Sequence, residues 1–356
     1  MAIDVTNYKC PACTGPLHYS GNSGKLECEY CGSSFEVEEI EAIYAPADEL
    51  AEVKEAQAPG EDWGEEAEKL CTYSCPSCGA ELICDMTTAA TSCPYCGNPS
   101  IIPGVFEGGM KPDMVLPFKL DKKAAIAALK QFYKGKRLLP KEFSDKNHIE
   151  EIKGVYVPFW LYDGVGRADI SYNATRVLSA VAGDMMVTTT EHYRLRRAGN
   201  VNFEKVPVDA SSKMPDAHMD SIEPFDYFEL KPFSTAYLAG YMADKYDMSM
   251  EDSRDRAALR IANTVESMVS NTAFGYTTCS EISKNVNVKH SDVNYVLLPV
   301  WMLSTKWNGN NYLFAMNGQT GKLIGDLPVC KKRLLEWFFK IWAPLAAVLA
   351  VLMFFA

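Results

Sequence analysis

Eight of the twelve cysteines in this 356-residue chain stand in four Cys-x-x-Cys pairs, and the pairs form two matched units. Cys10, Cys13, Cys28 and Cys31 make the first unit, and Cys75, Cys78, Cys93 and Cys96 repeat it 65 residues later. Leu17 and Leu82 coincide under the same offset, as do Gly32 and Gly97. Each Cys-x-x-Cys turn presents two sulfurs to one point, so each unit offers the four thiolates that tetrahedral zinc prefers. A glycine after the second knuckle lets the turn tighten until backbone N–H groups approach sulfur. So small a ribbon has almost no core, and metal binding, about 10–16 kcal/mol in comparable peptides, must supply most of its folding energy. Four thiolates also close the coordination sphere. The expectation is two structural zinc ions per chain.

The rest of the sequence agrees with reduced thiolates rather than disulfides. The N-terminus, "MAIDVTNYKC", has no basic start followed by an apolar run, so no secretory signal is read there, and a cytosolic setting follows. Cys71 and Cys84 flank the second unit without knuckle partners, Cys84 at the position of Tyr19 in the first. Both read as packing thiols, and the isolated Cys279 and Cys330 as core residues.

Charge argues against nucleic acid. The formal net charge is −11, and residues 36–70 account for it with thirteen acids against two lysines. Residues 101–330 carry 27 charges of each sign, without the basic excess that phosphate binding needs. The ribbons hold only Lys9 and Lys25 against five acids, with Tyr8, Tyr19, Tyr30, Tyr73, Tyr95 and Phe35 as candidate exposed aromatics. That chemistry suits contact with a protein. The one basic stretch, Lys119 to Lys141, reads as a solvated helix face, or a surface for anionic lipid.

Along the chain, the units at 1–35 and 71–103 are separated by the acidic linker 36–70, read as a self-repelling tether with a helical turn at Ile40, Ile43 and Tyr44. From residue 110 to 330 the pattern is that of an α+β body on an antiparallel sheet. "DKKAAIAALKQFYKGKR" predicts a helix capped by Asp121, with Ile126, Leu129 and Tyr133 inward. "GVYVPFWLYDG" predicts a buried strand ending at Gly164, and "RADISYNATRV" and "MMVTTTEHYRLRR" predict further strands. The segment from Ser249 predicts the best-marked helix of the body, with Ala258, Ile261, Val265, Met268 and Val269 as its apolar stripe. "VNYVLLPVWMLST" is another strand, and "NYLFAMNGQTGKLIGDLP" a hairpin.

Residues 334–356 carry only Glu336 and Lys340 as charges. At about 1.5 Å per residue they reach the roughly 30 Å of a bilayer core. With "KKR" at 331–333 before them, they predict a single-pass tail anchor whose N-terminal side faces the cytoplasm.

No H-E-x-x-H, G-x-S-x-G or P-loop occurs, and His18, His148, His192, His218 and His290 stand apart. The pairs Asp209/Asp216 and Asp244/Asp247 read as solvated loop acids, and His192 with Arg194, Arg196 and Arg197 as alternating faces of a strand. No catalytic residue is assigned.

The motifs "GVYVPFWLYD", "VPVDASSKMPDAHMDSIEPFD", "LPVWMLSTKW" and "YLFAMNGQTGKLIGDLP", together with the order of parts, resemble a group of bacterial zinc-ribbon-containing proteins. That group has paired rubredoxin-like N-terminal ribbons and a C-terminal membrane helix, and its members are often labelled TFIIB-type zinc ribbon or primosomal helicase-like. Some relatives are encoded beside a phage-shock-protein-A-like protein and an SPFH-domain protein. The resemblance implies a membrane scaffold that recruits such a cytoplasmic partner during envelope stress. The rival expectations are a nucleic-acid-binding replication or transcription factor, and an enzyme whose pocket the body assembles from distant residues.

Overall fold

The strand expected to end at Gly164 does not end there: residues 153–182 form one strand of 30 residues, matched by a second 30-residue strand at 278–307. The computed structural model describes residues 10–12, 15–28, 31–44, 63–86, 88, 92–106, 109–146 and 149–355. The acidic stretch 45–62 and His148 lie outside them.

From the N-terminus, β1 (Leu17–Ser20), β2 (Lys25–Cys28) and β3 (Ser34–Phe35) make a small antiparallel sheet around the first cysteine unit. Helix α1 (Val37–Tyr44) follows, burying Val37 and Ile40 while Ile43 stays exposed. The second unit contributes β4 (Leu70–Ser74), β5 (Glu81–Asp85) and β6 (Ile102–Val105). Next come β7 (Met114–Val115), α2 (Lys122–Tyr133), α3 (Lys141–Lys146), β8 (Lys153–Ala182), β9 (Met185–Asp209), α4 (Asp216–Ile222), β10 (Lys231–Pro232) and β11 (Met242–Asp244). The chain closes with α5 (Met250–Ser270), β12 (Thr278–Trp307), β13 (Asn310–Asn317), β14 (Leu323–Gly325) and α6 (Lys331–Phe355).

Among the described residues the large sheet has eleven strands, running β10-β7-β12-β8-β11-β5-β4-β6, with β9 added to β8 and β13–β14 added to β12. It is mixed rather than antiparallel: β11 runs parallel to β8, and β7 parallel to β12. The short β7 and β11 reach their neighbours through long connections instead of tight turns, and such connections permit parallel pairing.

The base of β8 is sandwiched. Tyr156, Trp160 and Tyr162 point into one apolar cluster with Tyr295, Leu297 and Trp301, while Val155, Val157, Phe159 and Leu161 point into another with Val296, Leu298 and Val300. Burial on both faces explains why "GVYVPFWLY" is continuously apolar and does not alternate. Beyond Tyr162 one face opens to solvent and alternation begins. Here α5 covers Ala168, Ile170 and Tyr172. Gly166 seats the helix, since a Cβ there would lie 2.9 Å from Ile261 Cγ2 and 3.1 Å from Val265 Cγ1.

Helix α2 is capped by Asp121, which accepts from the Ala124 N–H at 2.7 Å, and α5 by Ser249, which accepts from the Asp252 N–H at 3.1 Å. The buried row of α5 is Ser253, Ala257, Ile261, Val265 and Val269, so Ala257 replaces the expected Ala258 and Met268 faces solvent.

The expected tail anchor is corrected. Residues 331–355 do form a helix, but among the described residues no helix is long and apolar enough to cross a membrane. Lys331, Lys332, Arg333, Glu336 and Lys340 charge its first ten positions. The apolar run that follows, fifteen helical residues, spans only about 22 Å against a bilayer core of about 30 Å. Its basic start is tied instead to the loop after α2: Arg333 donates to the Leu139 carbonyl, and the Arg137 guanidinium lies 4.6 Å from the Trp337 ring centroid. The single-pass assignment and its orientation fall with the span.

Candidate metal centre

In the second unit the Sγ atoms of Cys75, Cys78, Cys93 and Cys96 all lie within 4.8 Å of one another. Cys75 and Cys96 are 3.5 Å apart, and Cys78 and Cys93 3.6 Å. Four sulfurs about 2.3 Å from a zinc ion stand about 3.8 Å apart, so these residues fit the metal, and soft thiolates favour it.

The knuckles that aim these sulfurs are built alike. The carbonyl of Cys75 accepts from the Gly79 N–H at 2.8 Å, and that of Cys93 from the Gly97 N–H at 2.9 Å. In the first unit, Gly32 donates to the Cys28 carbonyl in the same way. The three glycines take φ between +67° and +73°, where a side chain would be strained. Of the three, Gly79 has no glycine counterpart 65 residues earlier, where Thr14 stands.

Burial opposes ionisation of Cys75, yet N–H groups from Cys78 and Ser77, with the Cys96 and Cys78 thiols, bring its thiol down to about 7. Burial dominates at Cys78, pushed up to about 11, and at Cys93, pushed up further. Gathering four thiolates within 4.8 Å of one another takes a cation to offset their repulsion.

In the first unit, Cys10, Cys28 and Cys31 cluster within the same 4.8 Å, with Cys10 and Cys31 sulfurs 3.5 Å apart. Cys13, the fourth expected ligand, lies outside the described residues.

The two units meet the body differently. The second is part of the large sheet: β5 pairs antiparallel with β11, and Cys75, Cys93 and Cys96 share a core with Leu116, Val155 and Met302. Lys153, at the foot of β8, donates to the Ser92 carbonyl and hydroxyl, both at 2.5 Å, just before Cys93. The first unit keeps a sheet of its own and joins the body by packing, with Leu17, Tyr19, Leu26 and Cys28 sharing a core with Tyr156, Tyr237 and Leu238. Tyr19 donates its N–H to the Ala239 carbonyl at 3.1 Å and packs edge-on to Tyr237, Asn22 bonds Asp121 at 2.7 Å, and Gly21 abuts the Phe118 carbonyl. A cleft of about 580 Å³ opens beside this contact, lined among others by His18, Glu27, Lys122, Lys123 and Tyr241.

Several other expectations change. Tyr19 and Tyr95 are buried, and Tyr73 and Phe35 partly so, which leaves no row of exposed rings on the described part of the units; Tyr8 and Tyr30 lie outside it. Cys84 is fully buried and Cys71 half-buried across the β4–β5 ladder from it, as packing thiols should be. Cys279 is exposed on β12, not in the core, and Cys330 is half-buried.

The loop acids are not solvated pairs. Asp209 is buried against Arg256, which also holds Asp216 at 3.2 Å and Asp220 at 2.8 Å. Asp244 is buried and accepts the Ser211 hydroxyl at 2.5 Å, and Asp247 caps the Ser212 N–H and pairs with Lys213 at 3.0 Å. These carboxylates fasten the segment after β9 to α5 and to β11. The motif "VPVDASSKMPDAHMDSIEPFD" thus folds as a latch, which Asn317 extends by donating to the Ile222 and Pro224 carbonyls. His192 pairs across from Thr175 on the β8–β9 ladder, and His218 faces Asp326 at 3.3 Å.

The fold and site together define an α+β protein on a large mixed sheet, with two cysteine clusters of zinc-compatible geometry. No family model and no solved structure matches the chain. Over 337 residues it is 37% identical to the uncharacterized protein YdjG of Bacillus subtilis (strain 168), covering 94% of this chain and 93% of that protein. The chain belongs to the family of YdjG.

Proposed function

We propose that this chain is a scaffold whose two cysteine units, folded as rubredoxin-like ribbons, each hold one structural zinc ion and together support a surface for a protein partner. The observation that carries the reading is the closed four-sulfur cluster inside the sheet. Such a set leaves a metal no vacant position, so its contribution is to the shape of the strands around it. In this reading Cys10, Cys13, Cys28 and Cys31 hold the first ion, and Cys75, Cys78, Cys93 and Cys96 the second. The first ribbon's edge beside the cleft, with acid and lysines on its lining, supports a polypeptide partner. The resemblance of the body motifs points to a phage-shock-protein-A-like or SPFH-domain protein as that partner.

The test combines composition with recruitment. Metal analysis of the purified chain should find two zinc ions, and Cys75→Ser/Cys78→Ser one. Co-purification of a partner of either named class should be lost on deleting residues 1–35. Metal-free chain of native fold sinks the zinc assignment. Undiminished co-purification without residues 1–35 sinks the docking role, and a steep salt-dependent affinity for DNA or RNA would move the reading to the nucleic-acid class.

A further inference from the structure

The far end of the β8–β9 hairpin is a second surface, unrelated to the cysteine units. β12 accompanies β8 only as far as Thr175, opposite Thr278. Beyond Val177 the hairpin continues as two strands, paired to each other from Val177–Thr190 to Ala182–Met185. Gly183 opens its two-residue turn with φ +65°. Two strands alone are marginal in water, and this pair is apolar on both faces: Val181 is 75% exposed, Met185 70% and Met186 74%, with Val177, Leu178 and Val187 also exposed. Residues 177–190 carry one charge, Asp184. Among the described residues β9 pairs only with β8, so its outer edge presents a row of open backbone donors and acceptors. Natural sheets rarely leave a long, uncharged edge of this kind uncovered.

We infer that the tip pairs with a second copy of this chain, the outer edges of two β9 strands joining antiparallel about a two-fold axis at Thr189. In this register the edge meets its own reverse with one mismatch, Val187 opposite the partner's Glu191. Thr189 faces the partner's Thr189 and Thr188 faces the partner's Thr190, a favourable cross-strand set. Met186 meets the partner's His192 and Met185 the partner's Tyr193, and Asp184, in the turn one residue beyond the strand, comes beside the partner's Arg194 at each end of the ladder. Neither Asp184 nor Arg194 has an ion pair of its own among the described residues. Sliding the strands further past one another would bring Arg194, Arg196 and Arg197 of both copies face to face, and like charges directly opposite destabilise a ladder. The overlap is therefore bounded on one side by charge and on the other by the turn.

The test is sedimentation equilibrium of the zinc-loaded full chain in a mild nonionic detergent, which keeps the exposed α6 from associating. The wild type should dimerise. Arg194→Asp, which sets acid against acid, should weaken the dimer by about tenfold or more, and Asp184→Arg combined with Arg194→Asp should restore it. Thr189→Cys should give a disulfide-linked dimer through a 189–189 peptide under mild oxidation, and Asn200→Cys should not. A monomeric wild type overturns the inference, whether the tip then takes a lipid vesicle or another protein. A dimer indifferent to Arg194→Asp overturns it equally.

Discussion

Asp244 shows how much one side chain can report. Burial raises its pKa to about 7, against hydrogen bonding from Ser211, and the buried Tyr95 hydroxyl stands beside it without good hydrogen-bond geometry. A carboxyl whose folded pKa exceeds its unfolded value of about 3.9 stabilises the fold below that value, and the contribution is lost as pH rises to about 7. Asp244→Asn, which keeps an acceptor for Ser211, should flatten the decline of denaturation midpoint between those limits, measured against wild type at saturating zinc. Arg256 makes the opposite case. Its removal strands the buried Asp209 without its counter-charge, and Arg256→Ala should cost about 3–5 kcal/mol in denaturant unfolding. Lys284→Ala, at an exposed pair with Glu266, should cost nothing measurable.

Among elements, the seat of α5 on β8 is the most demanding contact. Gly166→Val would drive methyl groups into Ile261, Val265 and Phe203, and overpacking of this kind costs about 1–3 kcal/mol, readable as a lowered thermal midpoint. The same two elements show what was legible in the sequence. The Ser249 cap and its acidic first turn mark the start of α5 correctly, because capping is local chemistry. The stripe drifts by one residue at Ala257, because Ala at 257 and 258 satisfies either face and only the packing chooses. Gly164 reads as a strand end for a similar reason. Its lack of a side chain serves a close approach, since a Cβ would sit 2.7 Å from the Lys289 carbonyl oxygen, and this neighbour is 125 residues away. The cysteine clusters among the described residues were legible because a set of candidate metal ligands is written in spacing. The joining of β5 to β11 was not, because three residues of β11 carry no pattern. The terminal helix was legible as a helix, and its apolar character outweighed the five charges in its first ten positions.

At the scale of the molecule, the two cysteine units differ in what they hold. The second is woven into the sheet through β5–β11 and through Lys153, so Cys75→Ser should lower the midpoint of the whole cooperative transition. The first forms a separate sheet, joined to the body by side-chain packing and a few bonds, so Cys28→Ser should release the zinc proposed for it and its protection from hydrogen exchange while β8 and β12 keep theirs. Differential scanning calorimetry with metal analysis separates the two outcomes. Equal losses from both substitutions would mean that the units form one cooperative block.

The length of β8 also fixes a distance. From Gly164 to Ala182, at about 3.3 Å per residue, the strand carries its turn roughly 60 Å away from the sandwiched base. Two copies joined at their tips would form a dumbbell, the cysteine-bearing ends facing outward at opposite poles. Each pole would be free to hold its own cargo, and the joined β8–β9 hairpins between them would act as a ruler for the gap.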